Sequence, residues 1–417
     1  MTTTAELRNW AGNVSFGAEH LRRPQTVEQL QEVVGASSRI RALGSGHSFN
    51  RIADTTGDLV TVADLDATIE IDSATSTVLV GAGVRYGELG GALEHQGLAL
   101  ANLGSLPHIT VGGATSTGTH GSGIGNRCLA DQVVGIEMVR ADGELVSVAA
   151  GDPAFGGSVL ALGALGVTTR LRLSVKPSFQ IRQDVWLDAD LDAVLDDIDA
   201  VLGAGYSVSL FTEWHDRDRL DQIWIKGLAD APLVDGTRWG ARPAAEAHHP
   251  IAGADASTAT QQLGVPGPWI ARLPHFRLEF TPSSGEEQQS EFFVAREHAA
   301  AAIAALRELE LHPALMVCEV RTIAADDLWI SPFHQRDTVA LHFTWVDDDE
   351  LVRPVVRQVE AALAGFDVRP HWGKVFEMAP DVVRAHYPRM DEFRALAAAH
   401  DPQRKFGNDF LESFVYD

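Results

Sequence analysis

Apolar and polar positions divide the chain into short strands and amphipathic helices that alternate without a fixed order. Leu21-Arg22-Arg23-Pro24 leads into Thr26-Val-Glu-Gln29, where Thr26 can cap a helix and Gln29 can reach back to it. Val27, Leu30, Val33 and Val34 then fall on one helical stripe. The period changes to two in Arg39–Leu43, and further short strands are predicted at Leu59–Val62, Thr68–Ile71 and Thr77–Val80. A helix is predicted over Arg85–His95, with Leu89, Ala92 and Leu93 on one side and Gly97 as its stop. Val133–Arg140 and Glu144–Val148 flank Ala141-Asp-Gly143, a hairpin signature. A helix near Phe155–Leu162, the turn Gly163-Ala-Leu-Gly166 and a strand over Val167–Val175 complete this part. The mixed order predicts an α+β lobe, since a doubly wound sheet would alternate regularly.

Lys176-Pro177 reads as a boundary. Beyond it, strands are predicted near Ser207–Glu213, Gln222–Lys226, Phe276–Phe280, Leu315–Val320 and Val339–Val346, with helices at Ala295–Leu309 and Glu350–Ala364. The segment Ala241–Ala259 reads as a long loop, the kind that often covers a site. Its His248-His249 pair is expected to face solvent. Pro380–His400 reads as helical, followed by Phe406-Gly-Asn-Asp-Phe-Leu411.

Length adds that two lobes are expected, because 417 residues exceed one usual core. A formal net charge of −24 argues against nucleic acid or an acidic membrane surface as a partner. Cys128 and Cys318 cannot make a disulfide framework, Met1–Trp10 does not read as a signal peptide, and no apolar run would span a membrane. A soluble, cytoplasmic monomer is expected. No H-E-x-x-H occurs, and no metal site is expected.

The chemistry concentrates in loops. Gly44-Ser-Gly-His-Ser-Phe-Asn50 is half of a dinucleotide fingerprint: Phe49 stands where the third glycine belongs, and no strong helix follows. Its backbone N–H groups and the Ser45 and Ser48 hydroxyls still suit a pyrophosphate, although a plain turn would look the same. Gly112-Gly-Ala-Thr-Ser-Thr-Gly-Thr-His-Gly-Ser-Gly123 is too polar for an ordinary core segment and reads as a second ligand loop or an exposed one. With the turn Gly163–Val167, three such loops suggest a large anionic cofactor.

Arg41-Ala-Leu-Gly-Ser-Gly-His-Ser-Phe-Asn50 resembles the flavin-attachment loop of the vanillyl-alcohol oxidase family, and Gly118-Thr-His-Gly121 resembles its second FAD-binding stretch. Glu319-Val-Arg321 and His371-Trp-Gly-Lys374 resemble the aldonolactone and alditol oxidase branch. Asn102–His108, Gly264–Trp269 and Phe280–Gly285 look like its bacterial alditol-oxidising members, and the similarity runs over nearly the whole chain. The resemblance implies an FAD-binding domain at 1–176, a substrate-binding cap at 177–375, and a segment at 376–417 returning to the first domain. It implies FAD joined covalently to His47. It implies further FAD contacts at Arg41, Gly44, Ser45, Gly46, Ser48, Ser105, Ser116, Gly118, Thr119, His120, Gly121, Gly166, Val167 and His371. Ser105, Gln289, Glu319, Arg321, Thr344 and Lys374 would line a polyol pocket, with His342 beside them. The local run Gly285-Glu-Glu-Gln-Gln-Ser290 departs from the family pattern, which leaves Gln288 as a competitor for the role of Gln289.

Period-two alternation puts Glu319 and Arg321 on one face of their strand, and His342 and Thr344 on one face of theirs. One acidic and two basic groups (Glu319, Arg321, Lys374) suit hydroxyls, which both donate and accept. A buried ion pair that only supports the cap would use the same residues. The activity implied is oxidation of a terminal polyol hydroxyl, as in xylitol or sorbitol, to the aldose. Hydride passes to flavin N5 and O2 is reduced to H2O2. Arg321 and Lys374 would stabilise the developing oxyanion, and His342 or a water would take the proton. Gly104, before Ser105, favours an oxidase, although a tight turn would also use glycine. Two other readings use the same residues: an aldonolactone oxidase or dehydrogenase, and a non-catalytic carbohydrate-binding protein.

Overall fold

The computed structural model describes residues 7–280 and 286–417. Residues 1–6 and most of the Phe280–Gly285 motif lie outside the described residues.

Three sheets carry the site. A small parallel sheet joins His20–Arg22, Asp58–Val60 and Ile40–Ala42, with the Asp58 strand in the middle. A five-stranded antiparallel sheet runs in the order Ile69–Asp72, Thr77–Gly81, Val167–Ser174, Val133–Val139, Leu145–Ala149. Helix Tyr86–His95 packs here through buried Leu89 and Leu93. Trp372, Phe393, Phe410 and Leu411 join the same core, so the end of the chain packs on its beginning. Lys405 strengthens that junction by donating from Nζ to the carbonyls of Val34 and Ala141, both at 2.7 Å.

The third sheet has nine strands, and its long central members are antiparallel. Gln180–Asp190, Arg219–Leu228, Ser207–Thr212, Leu315–Ile323, Thr338–Val346 and Glu287–Ala295 follow one another across it. One face meets helices Ala299–Arg307 and Asp349–Leu363 through Leu210, Ile223, Cys318, Val320, Leu341 and Phe343. The alternate residues point the other way, toward the first part of the chain. Among the described residues no helix is long and apolar enough to cross a membrane.

Several elements differ from the sequence expectation. The helix at the start is capped by Thr26, whose side chain accepts from Gln29 N, but the Gln29 amide reaches back to Gln25 N. The polar stretch after Thr110 is a helix, Val111–Thr117, where a loop was expected. Thr115, Ser116 and Thr117 donate their hydroxyls to the carbonyls of Val111, Gly112 and Gly113, one turn back. The hydroxyls thus find acceptors inside the helix, and the segment is buried without penalty from them. Phe276–Phe280 forms no strand: it makes one isolated bridge, Ala259 to Phe276, and has no ladder to join. Pro380–His400 is two helices, Pro380–Ala385 and Met390–His400, separated around Pro388, which supplies no N–H. The predicted helices at 295–309 and 155–162 shorten to Ala299–Arg307 and Phe155–Ser158. Two long strands, Gln180–Asp190 and Glu287–Ala295, have no counterpart among the expected elements.

Candidate active site

A single cavity lies between the glycine-rich loops and the open face of the large sheet. Its first end is lined by Gly44–Asn50, Gly112–Ala114, Ser116, Thr117, Gly163 and Gly166, and its other end by Gln289, Glu291, Glu319, Arg321, His342, Thr344 and Lys374. Ser105, Thr119, His120 and His371 lie along it.

At the loop end the backbone forms a cradle. Among the described residues, the N–H groups from Gly44 to Ser48 have no hydrogen-bond acceptor. A Cβ on Gly44 or Gly113 would stand 2.7 or 2.9 Å from Thr110 Oγ1, so only glycine lets these two segments approach. Thr110 Oγ1 is itself buried without a partner. Unpaired N–H groups converging on a concavity suit a pyrophosphate. These residues therefore fit a dinucleotide cofactor such as FAD. His47 lines the cavity and stacks on Trp10, with ring centroids 4.6 Å apart. Burial, then the neighbouring His108 and Arg85, pulls its imidazole down to about 4. It is therefore neutral at physiological pH, with a free lone pair.

Arg41 is buried and donates to the carbonyls of Ile52, Leu162, Gly163 and Phe406. It ties the first loop, the Gly163 turn and the chain end together. Three of the residues implicated in FAD binding are not on the cavity wall. Gly118 ends the Val111–Thr117 helix in the left-handed conformation, with φ 81°. At Gly121 a side chain would collide with the Leu103 carbonyl and the Asn102 amide. Val167 packs in a core with Leu30, Val34, Ile40 and Phe406.

At the sheet end the site is a ladder of opposed residues. Glu319 stands across from His342, and His342 stands across from Glu291. Thr344 stands across from Gln289 in the next row. Opposed residues in antiparallel strands share a face, so five functional positions are fixed by register alone. Gln289 is on the cavity and meets His342 Nε2 through its Oε1 at 3.1 Å. Gln288 points to the other face, donating to Asp349 at 2.8 Å, which removes it as a competitor.

Glu291 is the residue the sequence reading missed. It is 1% exposed and accepts from Arg321 Nη2 at 2.8 Å and Lys374 Nζ at 2.8 Å, with His120 Nε2 at 3.2 Å. Burial alone would raise its carboxyl, but Lys374, His120 and Arg321 outweigh that and hold it well below the carboxylate range. Glu319 behaves alike: burial opposes ionisation, and Arg321 and His275 overcome it. Arg321 Nε lies 3.5 Å from Glu319 Oε1, and its Nη1 donates to Ser105 Oγ at 3.2 Å. Burial, then Lys374, pulls His342 down to about 4. Spacing gave one trace of Glu291, since Gln289-x-Glu291 repeats that of Glu319-x-Arg321 and His342-x-Thr344, but the polar run around it hides the strand.

Lys374 arrives from a turn that the first loop holds. Asn50 Nδ2 donates to the carbonyls of Trp372 and Lys374, both at 2.8 Å, and Phe49 N donates to the Gly373 carbonyl at 2.7 Å. His371 N and Val375 N donate to Glu291 and Gln289 carbonyls, docking the turn on the edge of their strand. From the long loop, His249, Pro250 and Ile251 reach the cavity wall. His249 is thus no solvent-facing residue: its ring meets Phe276, with centroids 5.4 Å apart, and its Nδ1 accepts from Ile251 N. Among the described residues no histidine, cysteine or carboxylate cluster could hold a metal ion.

Comparison with known proteins finds two family matches along the chain. The FAD binding domain family matches residues 18–149, and the D-arabinono-1,4-lactone oxidase family matches residues 286–414. An alditol oxidase of Streptomyces sp. (strain IKD472 / FERM P-14339) is 50% identical over 412 residues, covering 98% of each chain. An L-gulono-1,4-lactone dehydrogenase of Mycobacterium tuberculosis is 27% identical over 438 residues, covering 96% of this chain and 97% of its own. Among solved structures, a cholesterol oxidase from B. sterolicum aligns with a TM-score of 0.77 at 14% identity. A solvent-stable cholesterol oxidase aligns with a TM-score of 0.78 at 16% identity. Each alignment covers 98% of this chain and 96% of the other, and at such identity it speaks for the fold alone.

Proposed function

The chain belongs to the alditol oxidase family of FAD-dependent oxidoreductases, and from that premise we propose that it oxidises the terminal hydroxyl of a polyol such as xylitol or sorbitol to the aldose. The observation that carries this reading is the buried ladder of Glu319, His342 and Glu291, with Arg321 and Lys374 set against it at the inner end of the FAD cavity. On this reading residues 1–176 hold FAD, 177–375 form the substrate cap, and 376–417 return to the first domain.

Bound FAD supplies the hydride acceptor and passes the electrons on to O2, giving H2O2. The protein's part is to bind, orient and manage charge. Arg321 and Lys374 face the reacting hydroxyl and stabilise negative charge as it develops on that oxygen. Once Gln289 turns to the substrate, neutral His342 can carry its own proton on Nδ1, 3.6 Å from Glu319 Oε2, and receive the hydroxyl proton at the freed Nε2. Glu319, Ser105, Gln289 and Thr344 bind hydroxyls further along the chain. Buried polar groups of this kind reject substrates that leave them unpaired. Oxygen consumption with xylitol, sorbitol and a gulonolactone tests the reading. Turnover of the alditols is expected, and turnover of the lactone alone would overturn it.

His47 as the covalent attachment point is supported by its place in the cradle and by its neutral imidazole, which has a lone pair to share. Acid precipitation of the wild type should carry flavin into the pellet. His47→Ala should release all bound flavin to the supernatant. A colourless wild-type pellet would refute the link.

A further inference from the structure

Behind the cavity, Lys226 and His275 form a line of hydrogen bonds that the proposed chemistry leaves unused. Lys226 lies on the strand Arg219–Leu228 and is 1% exposed. Among the described residues no carboxylate pairs with it. Its Nζ donates to the carbonyls of Leu273 at 2.6 Å and Pro274 at 3.0 Å, and lies 3.0 Å from His275 Nδ1. Burial pulls Lys226 down to about 7; in its protonated form its three donors meet these three contacts, with Nδ1 accepting. On the other side His275 Nε2 is 2.7 Å from Glu319 Oε1. Glu319 is ionised and can only accept, so Nε2 carries the proton. The Glu319 end therefore sets the tautomer of His275, and protonated Lys226 is matched to it.

We propose that Lys226 and His275 are positioning residues that fix which oxygen of Glu319 faces the substrate. Oxygen Oε1 is taken by His275, with Arg321 Nε beside it at 3.5 Å. Among the described residues the one polar neighbour of Oε2 is His342 Nδ1, at 3.6 Å, and that oxygen is left to accept a polyol hydroxyl. The rings of Phe211 and Trp224 stand edge-on to His275, at 5.6 and 5.4 Å between centroids, and keep the imidazole from rotating. Burial without a direct counter-ion is costly for Lys226, and Glu319 offsets part of that cost through the imidazole between them. The inference rests on the reading that Glu319 binds a polyol.

Two replacements of His275 separate its two ring nitrogens. Glutamine places an amide N–H where Nε2 donates, whereas asparagine offers an oxygen near Nδ1 and nothing to Glu319. His275→Asn should raise KM for xylitol about tenfold with kcat little changed, as expected for one charge-assisted hydrogen bond. His275→Gln should recover most of that loss. Equal losses in both variants, or none in either, would overturn the proposal. A second readout needs no turnover. In protein labelled with 15N-histidine, the ring signal that vanishes in His275→Gln should report the neutral Nε2–H tautomer, and Lys226→Met should move the Nδ1 resonance, which loses its donor, without changing the tautomer. An Nδ1–H or doubly protonated ring in the wild type would also overturn it. A wild type inactive on every alditol would remove the substrate reading, while the tautomer would still decide the arrangement of the line.

Discussion

Lys374→Met should lower kcat with xylitol by about 10²–10³-fold, the cost of removing one donor from a buried oxyanion site. Methionine keeps nearly the length and volume of the lysine stem, so packing of the His371–Lys374 turn is preserved. That turn is held by backbone groups: Asn50 takes the carbonyls of Trp372 and Lys374, and His371 N and Val375 N bond the neighbouring strand. None of these contacts involves the ammonium. Glu291 keeps Arg321 as a partner at 2.8 Å. Flavin content, read from the absorbance per protein, should therefore stay at the wild-type level while oxygen consumption falls. Parallel loss of flavin and activity would mean that Lys374 supports the cofactor cavity and leaves the oxyanion to other groups. Unchanged turnover would remove it from the chemistry.

Glu291→Gln should destabilise the protein by about 3–5 kcal/mol, because removing one partner leaves buried cations uncompensated. Glu291 bonds Arg321 and Lys374 and lies 3.2 Å from His120. An amide of the same shape can accept from one of these groups but carries no charge. The pH dependence has a definite sign. The folded state holds the Glu291 carboxyl well below its unfolded value. Its stabilisation is therefore complete above the unfolded carboxylate pKa and is lost as pH falls through the folded one. Denaturant midpoints of wild type and variant should lie far apart at neutral pH and converge in acid. Coincident midpoints at neutral pH would show that the carboxylate adds no net stability there.

The two variants differ in what could be anticipated from the chain. Lys374 sits in a motif that resembles a known one, and Glu319 and Arg321 are two apart in a stretch that alternates visibly. Glu291 lies in Gln288-Gln-Ser-Glu291, a polar opening that hides a strand whose later residues, Phe292 to Val294, are apolar and fully buried. The strand forms because the edge of a large sheet is there to receive it, and local alternation does not carry that information. The same holds for Val111–Thr117. Its glycines and hydroxyls suggested a loop, but each hydroxyl bonds a carbonyl one turn back, and the helix buries them. His249 was expected in solvent for its place in a Pro-rich loop, and the fold lays that loop along the cavity.

The sequence by itself determined a glycine-rich turn at Gly44–Asn50 suited to a pyrophosphate, the glycine-rich stretch before Gly123, the mixed α and β character, and the pairing of Glu319 with Arg321 and of His342 with Thr344. These are local matters of spacing, turn chemistry and a period of two. Only the tertiary structure decided that Glu319, His342 and Glu291 stand in one row, because register between strands is set by long-range pairing. It alone joined Asn50 to the turn bearing Lys374, more than three hundred residues away in the chain. It alone put Lys226 and His275 behind Glu319. A buried charge is tolerated only where several distant segments supply its partners together, and that assembly exists nowhere in the chain until it folds.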